Sequence, residues 1–188
     1  MVFPRLARLP LPWSNIDLFL ADERLVSSDH PDSNALAVRH YWLDHLKAAR
    51  PRFHPMPTIG VAAEDAARAA SQTLCAIAGD PPRLDLVMLG VGPDGHVASL
   101  FPGLSDWRTS RDWVLAVHDA PKPPPDRLSL GLATLAAARE LWFVAFGAGK
   151  AAAIAEARAD ASSPLPLAVV ARSGPTVRWF LDREANGS

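Results

Sequence analysis

The chain has 188 residues, of which 49% are hydrophobic and 21% charged, with a formal net charge of −1, and that length suits one domain that folds without disulfides or a structural metal. The balanced charge excludes proteins that bind nucleic acid by bulk electrostatics, and Cys75, as the only cysteine, excludes a multi-cysteine zinc site. No apolar run approaches the roughly 20 residues of a membrane span and no secretory signal pattern is present, so we expect a soluble, cytoplasmic protein.

The first elements alternate between strand and helix. The apolar run Ile16–Leu20 predicts a buried strand that ends at the charged residues 22–24. Ser33 is a plausible N-cap for a helix in which Leu36, Trp42, Leu43 and Leu46 recur at helical spacing. A second, alanine-rich helix is predicted over about Ala62–Ala78 and ends before two consecutive prolines.

The second half of the chain continues this alternation. Apolar runs predict four further strands, at Leu84–Leu89, Trp113–Val117, Leu128–Leu130 and Leu141–Phe146. A helix is expected to open near Lys150, and a last helix is predicted from about Thr176 to Ala185.

This alternation predicts an α/β fold: three layers, with a mainly parallel, Rossmann-like sheet flanked by helices. In such sheets ligands bind at the carboxyl ends of the strands. The loops of interest therefore follow Leu20, Leu89 and Phe146.

The loop after Leu89 contains glycines at positions 90, 92 and 95, followed by His96. The glycines allow tight turns and free amides for an anion, and an imidazole can exchange a proton near neutral pH. The Gly-x-Gly-x-x-Gly match to a dinucleotide site is rejected, because Pro102 and Gly103 interrupt the helix which that motif requires. A histidine bonded only to a backbone carbonyl remains the alternative for His96.

Three cations stand next to predicted strands. Lys150 follows a Gly-Ala-Gly turn at a helix start, where it can bind phosphate, although a solvated surface lysine is equally compatible. Arg24 is either a bidentate phosphate clamp or part of an exposed turn. Arg127 follows a proline-rich segment that is best explained as a rigid loop. The histidines show no metal-ligand spacing, so no metal or other cofactor is expected.

Several segments together resemble a known family. They are LFLADERLV, DHPDSN, LDLVMLGVGPDGHVASLFPG, PKPPPDRLSL, AFGAGKAAA and WFLDREA. They resemble the 6-phosphogluconolactonases of the glucosamine-6-phosphate isomerase/deaminase superfamily, over nearly the whole chain from about Leu11. The deaminases of that superfamily carry a glutamate where this chain has Phe101, which disfavours amino-sugar phosphate deamination.

The resemblance implies metal-free hydrolysis of 6-phospho-D-glucono-1,5-lactone to 6-phospho-D-gluconate in the oxidative pentose phosphate pathway. The sugar phosphate lactone is then the partner, while the oligomeric state stays open. Loop amides would stabilise the oxyanion. The implied residues are the catalytic pair His96 and Asp94, and the substrate- and phosphate-binding residues Arg24, Lys150, Arg127, Gly92 and Gly95.

Members of this family begin with a longer segment that carries a Gly-Gly-Ser-Thr-Pro-type phosphate loop. Here Met1 to Pro12 would match only the end of the helix after that loop, so residues 1–188 are expected to form one domain without that segment. We expect weaker phosphate binding and an exposed apolar edge or face. A weakly active or inactive sugar-phosphate-binding remnant is the alternative function.

Overall fold

The computed structural model describes residues 3–47, 49–104, 106–174 and 176–187. Its strands are β1 (Asp17–Phe19), β2 (Asp22–Arg24), β3 (Arg52–His54), β4 (Leu86–Gly90), β5 (Val114–Val117), β6 (Arg127–Leu130), β7 (Glu140–Ala145) and β8 (Val177–Leu181). Its α-helices are α1 (Phe3–Leu6), α2 (Asn34–Tyr41), α3 (Ala63–Ala78), α4 (Leu132–Ala137), α5 (Ala151–Ala159) and α6 (Pro166–Ser173). None of the helices in these ranges is long and apolar enough to cross a membrane.

Parallel strands carry the part of the fold that leads to the predicted site. β4 pairs with β7, β7 pairs with β8, and β1 pairs with β3, all in parallel. Parallel neighbours need long crossovers, which here include the helices between the strands. The inward-facing side chains of β4 and β7 are apolar and buried: Val87, Leu89, Leu141 and Phe143. The expected α/β fold class, with parallel strands and helices, is confirmed.

Besides the two parallel sheets, β1-β3 and β4-β7-β8, an antiparallel sheet packs into the same core. Its strand order is β2-β6-β5, with Glu23 opposite Leu128 and Leu115 opposite Ser129. Leu128 and Leu130 are buried, which explains why this short run forms a strand. The charged residues 22–24 were expected to follow a strand, but they form the edge strand β2 instead, because their backbone finds a partner in β6.

The predicted last helix, Thr176–Ala185, is wrong. Residues 177–181 form β8, which pairs with β7 so that Trp179 lies beside Phe143, their ring centres 4.7 Å apart. Valine and aromatic side chains favour an extended backbone, and β7 offers an open edge to receive them. The helix that precedes this strand is α6, which the sequence analysis did not predict and which has Pro166 in its first turn.

Helix α2 begins where its cap was predicted. The Ser33 hydroxyl accepts a hydrogen bond from the Leu36 amide at 3.2 Å. The helix ends at Tyr41, so Trp42, Leu43 and Leu46 lie beyond it, although all three are buried as their spacing suggested.

Candidate active site

The glycine loop (residues 91–100) leaves the carboxyl end of β4 and turns back on itself. The Gly92 amide donates to the His96 carbonyl at 2.9 Å, and the Gly95 amide donates to the Gly92 carbonyl at 3.0 Å. Gly95 has a φ of +78°, which glycine adopts without strain, and its carbonyl accepts from the Leu167 amide in α6. The loop is therefore fixed from within and by α6.

Gly92 and Gly95 are the two glycines that the resemblance assigned to substrate binding. The amides of both donate to carbonyls inside the loop. At Gly92 the absence of a side chain is what matters, because a Cβ there would lie 2.0 Å from Nδ1 of His96. Both glycines therefore shape the loop around the imidazole rather than supply it with free donors.

His96 and Asp94 form a hydrogen-bonded pair at the centre of the loop. Nδ1 of His96 donates to Oδ1 of Asp94 at 2.5 Å. The imidazole packs against the Phe101 ring, with ring centres 4.6 Å apart, and its side chain is 19% exposed. With its proton on Nδ1, the ring carries its lone pair on Nε2, which is the form a general base requires.

The surroundings set the charges of this pair. Burial lowers the pKa of His96, and the hydrogen bond to Asp94 opposes this effect without cancelling it. Burial would raise the pKa of Asp94, but the hydrogen bond from His96 and the charges of His96 and Lys122 hold that pKa below its usual value. Near neutral pH the site therefore holds a neutral imidazole beside an ionised carboxylate.

A second set of hydrogen bonds ties the glycine loop to the antiparallel sheet. The Ser99 hydroxyl donates to Oδ2 of Asp22 at 2.7 Å, and the Ser99 amide donates to the Ser129 hydroxyl at 3.2 Å. The Asn34 amide group donates to Oδ1 of Asp22 at 3.2 Å. These contacts were not predicted, because in the sequence the acidic residues at 22 and 23 stand only as neighbours of a cation.

Glu23 fixes the start of α2. Its side chain is buried, and its carboxylate accepts hydrogen bonds from the amides of Asn34 and Ala35, both at 2.7 Å, and from the Ser33 hydroxyl at 3.3 Å. The carboxylate therefore occupies the positive end of the helix, where free amides favour an anion. It also accepts from the Arg24 amide, so the cap and the predicted phosphate clamp are linked.

Arg24 and Arg127 lie close together next to this cap. Arg24 donates from Nη1 to the Asp32 carbonyl at 2.6 Å, while its Nε is buried and has no hydrogen-bond partner among the described residues. Burial, followed by the charge of Arg24, lowers the pKa of Arg127. Two neighbouring guanidiniums, one with a free buried donor, favour an anion between them.

Lys150 stands near the carboxyl end of a strand in the parallel sheet. It follows β7, whose Val144 lies beside Gly90 at the end of β4, so the loops after both strands emerge side by side. The Gly147 amide donates to the Asp182 carboxylate, at 3.1 and 3.0 Å to its two oxygens. That amide is therefore occupied, whereas the ammonium of Lys150 is a cation that can bind a phosphate.

The glycine loop borders a cavity that does not contain the candidate catalytic pair. A cavity of about 740 Å³ lies between α3 and β5 and reaches Ser99, but His96 and Asp94 do not line it. Within the described ranges, no group of three or more His, Cys, Asp or Glu side chains has the arrangement of a metal site. The chemistry available here is that of the imidazole, its carboxylate and the nearby cations.

Comparison with known proteins decides the family. The profile of the glucosamine-6-phosphate isomerases/6-phosphogluconolactonase family matches residues 1–179. The chain belongs to this family. The resemblance inferred from the sequence motifs is thereby confirmed, and the His96 loop lies within the residues that match the family.

Relatives and structures of this family agree. The chain is 38% identical over 182 residues to the 6-phosphogluconolactonase of Mycobacterium leprae, covering 93% of this chain and 74% of that protein. It is 40% identical to the 6-phosphogluconolactonase of Rattus norvegicus, covering 94% and 69%. The crystal structure of 6-phosphogluconolactonase from Thermotoga maritima superposes with a TM-score of 0.83 at 27% identity, covering 96% and 78%.

Proposed function

We propose that this chain hydrolyses 6-phospho-D-glucono-1,5-lactone to 6-phospho-D-gluconate, the lactonase step of the oxidative pentose phosphate pathway, in the cytoplasm. The observation that carries the proposal is the His96–Asp94 pair, joined at 2.5 Å, in a chain of this family. Relatives named 6-phosphogluconolactonase match more than nine-tenths of the chain. Opening a lactone needs one base that becomes an acid, which a neutral imidazole provides.

The reaction follows from the two ring nitrogens of His96. Asp94 holds the proton on Nδ1, so Nε2 accepts a proton from a water molecule as that water attacks the lactone carbonyl carbon. The resulting imidazolium gives its proton to the ring oxygen as the carbon–oxygen bond of the lactone breaks. One water is consumed, the new carboxyl group loses its proton to solvent, and His96 returns to its neutral form.

The cations hold the phosphate end of the substrate. Arg24 contributes its guanidinium, and Lys150 contributes an ammonium from the loop after β7, the parallel neighbour of β4. A phosphate bound by both places the lactone ring near Nε2 of His96 and so lowers the cost of orientation. Arg127 supports this arrangement indirectly, because its guanidinium packs on the Phe101 ring against which His96 also packs.

Amino-sugar phosphate deamination is not favoured. Phe101 is fully buried and packs on the His96 imidazole, so this position supplies an apolar surface and no carboxylate. The site therefore lacks the acid expected at this point in the deaminases.

The test is hydrolysis of freshly generated 6-phosphogluconolactone by the purified chain, corrected for spontaneous hydrolysis. The chain should exceed the background, and His96→Ala should lower kcat by about 10²- to 10⁴-fold, the usual contribution of a general base. His40→Ala, which alters an exposed histidine of α2, is the matched control and should retain the rate.

Circular dichroism establishes that each variant is folded. A folded chain without activity above background would refute the proposal. Calorimetric binding of 6-phosphogluconate to that inactive chain would then identify it as a sugar-phosphate-binding remnant.

A further inference from the structure

Arg127 anchors the proline loop (residues 118–126), which connects β5 to β6. Its Nε donates to the Pro124 carbonyl at 3.0 Å, and its Nη2 donates to the Lys122 carbonyl at 2.9 Å. Its guanidinium carbon lies 5.5 Å from the centre of the Phe101 ring, and the residue is 4% exposed. A guanidinium that is buried, stacked and bonded to carbonyls is a fixed support. It therefore holds the backbone of Lys122 near the ring against which His96 packs.

The partly exposed side chain of Lys122 approaches the His96–Asp94 pair. Its Nζ lies 3.9 Å from Oδ1 of Asp94, the same oxygen that accepts the hydrogen bond from His96. The side chain is 46% exposed, so the ammonium keeps part of its hydration. Ammonium, carboxylate and imidazole therefore stand in that order, from solvent toward the reacting nitrogen.

We propose that Lys122 is a positioning residue for this reaction: its ammonium counters the charge of Asp94, so that the carboxylate orients His96 without holding it as imidazolium. The inference rests on the proposed function. A carboxylate bonded to an imidazole favours the protonated ring, whereas the base must be neutral to accept a proton from water. A cation beside the same carboxylate oxygen weakens that preference and leaves the hydrogen bond in place.

The other charges around His96 make this cation important. The charged groups that act on the imidazole are Asp94 in its own loop, Asp22 in β2 and Lys122 in the proline loop. Both carboxylates raise the pKa of His96, and Lys122 lowers it. Phe101 adds an uncharged face. Removal of the ammonium therefore leaves two carboxylates that act in the same direction.

The experiment compares kcat/KM for 6-phosphogluconolactone between pH 5.5 and 7.5 in the parent chain, Lys122→Met and Lys122→Arg. In Lys122→Met the acid limb should move up by about 0.5 to 1 pH unit, the effect of one nearby unit charge in partly solvated surroundings. The loss is then about two- to fivefold at pH 6 and small at pH 7.5. Lys122→Arg keeps the charge and should keep the limb, as should Lys47→Met, which alters an exposed lysine elsewhere.

Other results overturn the inference. An equal loss at every pH would indicate a merely structural role, and a raised KM with an unmoved limb would indicate a substrate contact. An unchanged profile would show that Lys122 does not act on His96.

A second readout does not depend on turnover. The His96 ring is titrated by NMR in the parent and in Lys122→Met, with its signal assigned by comparison with His96→Gln. The midpoint should rise by the same 0.5 to 1 unit, about the shift a neighbouring charge produces. If the parent lacks activity, the proposed function fails, and this titration still decides the role of Lys122: an unmoved midpoint refutes it.

Discussion

Gly92→Ala should inactivate the site while leaving the chain folded. A Cβ at Gly92 would lie 2.0 Å from Nδ1 and 2.2 Å from Cε1 of His96, and 2.5 Å from Oδ1 of Asp94. Gly92 does not have a positive φ, so alanine can adopt its backbone conformation without strain. The added methyl group therefore acts on the catalytic pair and not on the course of the chain.

The geometry gives the size of the effect. Ordinary contact begins at 3.4 Å, so the imidazole must retreat by about 1.4 Å from the 2.0 Å position, enough to break its hydrogen bond to Asp94. A displacement of about 1 Å costs about 10²-fold in rate, so kcat/KM should fall at least 100-fold. Because both side chains are partly exposed, the unfolding free energy should fall by only about 1 kcal/mol.

Steady-state hydrolysis and urea unfolding measure these two quantities. Gly90→Ala is the matched control, since a Cβ there meets nothing within 4 Å and its φ is not positive. The control should keep kcat/KM within about threefold of the parent value. A folded Gly92→Ala that also retains activity within threefold would show that catalysis does not need the His96–Asp94 pair in this arrangement.

Three further predictions test other parts of the structure. Lys150→Ala should raise KM for the phosphorylated lactone about tenfold, because one charge-assisted contact is lost. KM for unphosphorylated gluconolactone should stay unchanged, and an equal effect on both substrates would contradict phosphate binding by Lys150. Glu23→Ala should lower the unfolding free energy in urea by about 2 to 4 kcal/mol, because it leaves the first amides of α2 unpaired, and a loss below 0.5 kcal/mol would argue against the cap. Hydrogen bonds to Asp126 and Glu64 raise the pKa of His118. The unfolding free energy lost in His118→Gln should therefore be largest near pH 6 and disappear as the pH rises through that raised pKa. A difference in unfolding free energy between parent and variant that stays constant from pH 6 to 8.5 would refute this.

The sequence predicted those parts of the fold whose signal is local. β4 and β7 each bury alternate side chains and carry apolar residues at most of the others, so each appears as a nearly continuous apolar run, and the loop after a parallel strand lies at the ligand-binding edge. His96 stands in that loop, so its place near the ligand-binding edge follows from the local pattern. Its pairing with Asp94 was expected from the family resemblance and not from the geometry of the loop.

Features that depend on partners distant in sequence could not be predicted from the sequence. β8 is a strand because β7 has an open edge, and neither the alternating side chains of 177–181 nor their composition reveals that edge. In the same way, Asp22 meets Ser99 across 77 positions of sequence only because β2 pairs with β6. A charged triplet after a strand gives no sign that one of its members will hold the catalytic loop.

Lys122 and Arg127 show this limit most clearly. Both are cations at the ends of one proline-rich segment, and only Arg127 was expected to be a functional residue. In the structure its Nε and Nη2 donate to backbone carbonyls of a segment whose prolines lack N–H donors of their own. A guanidinium suits that task because it offers several donors in one plane, whereas a lysine supplies a mobile point charge. Arg127 therefore supports the loop through its hydrogen bonds to these carbonyls, and the Lys122 ammonium interacts with Asp94.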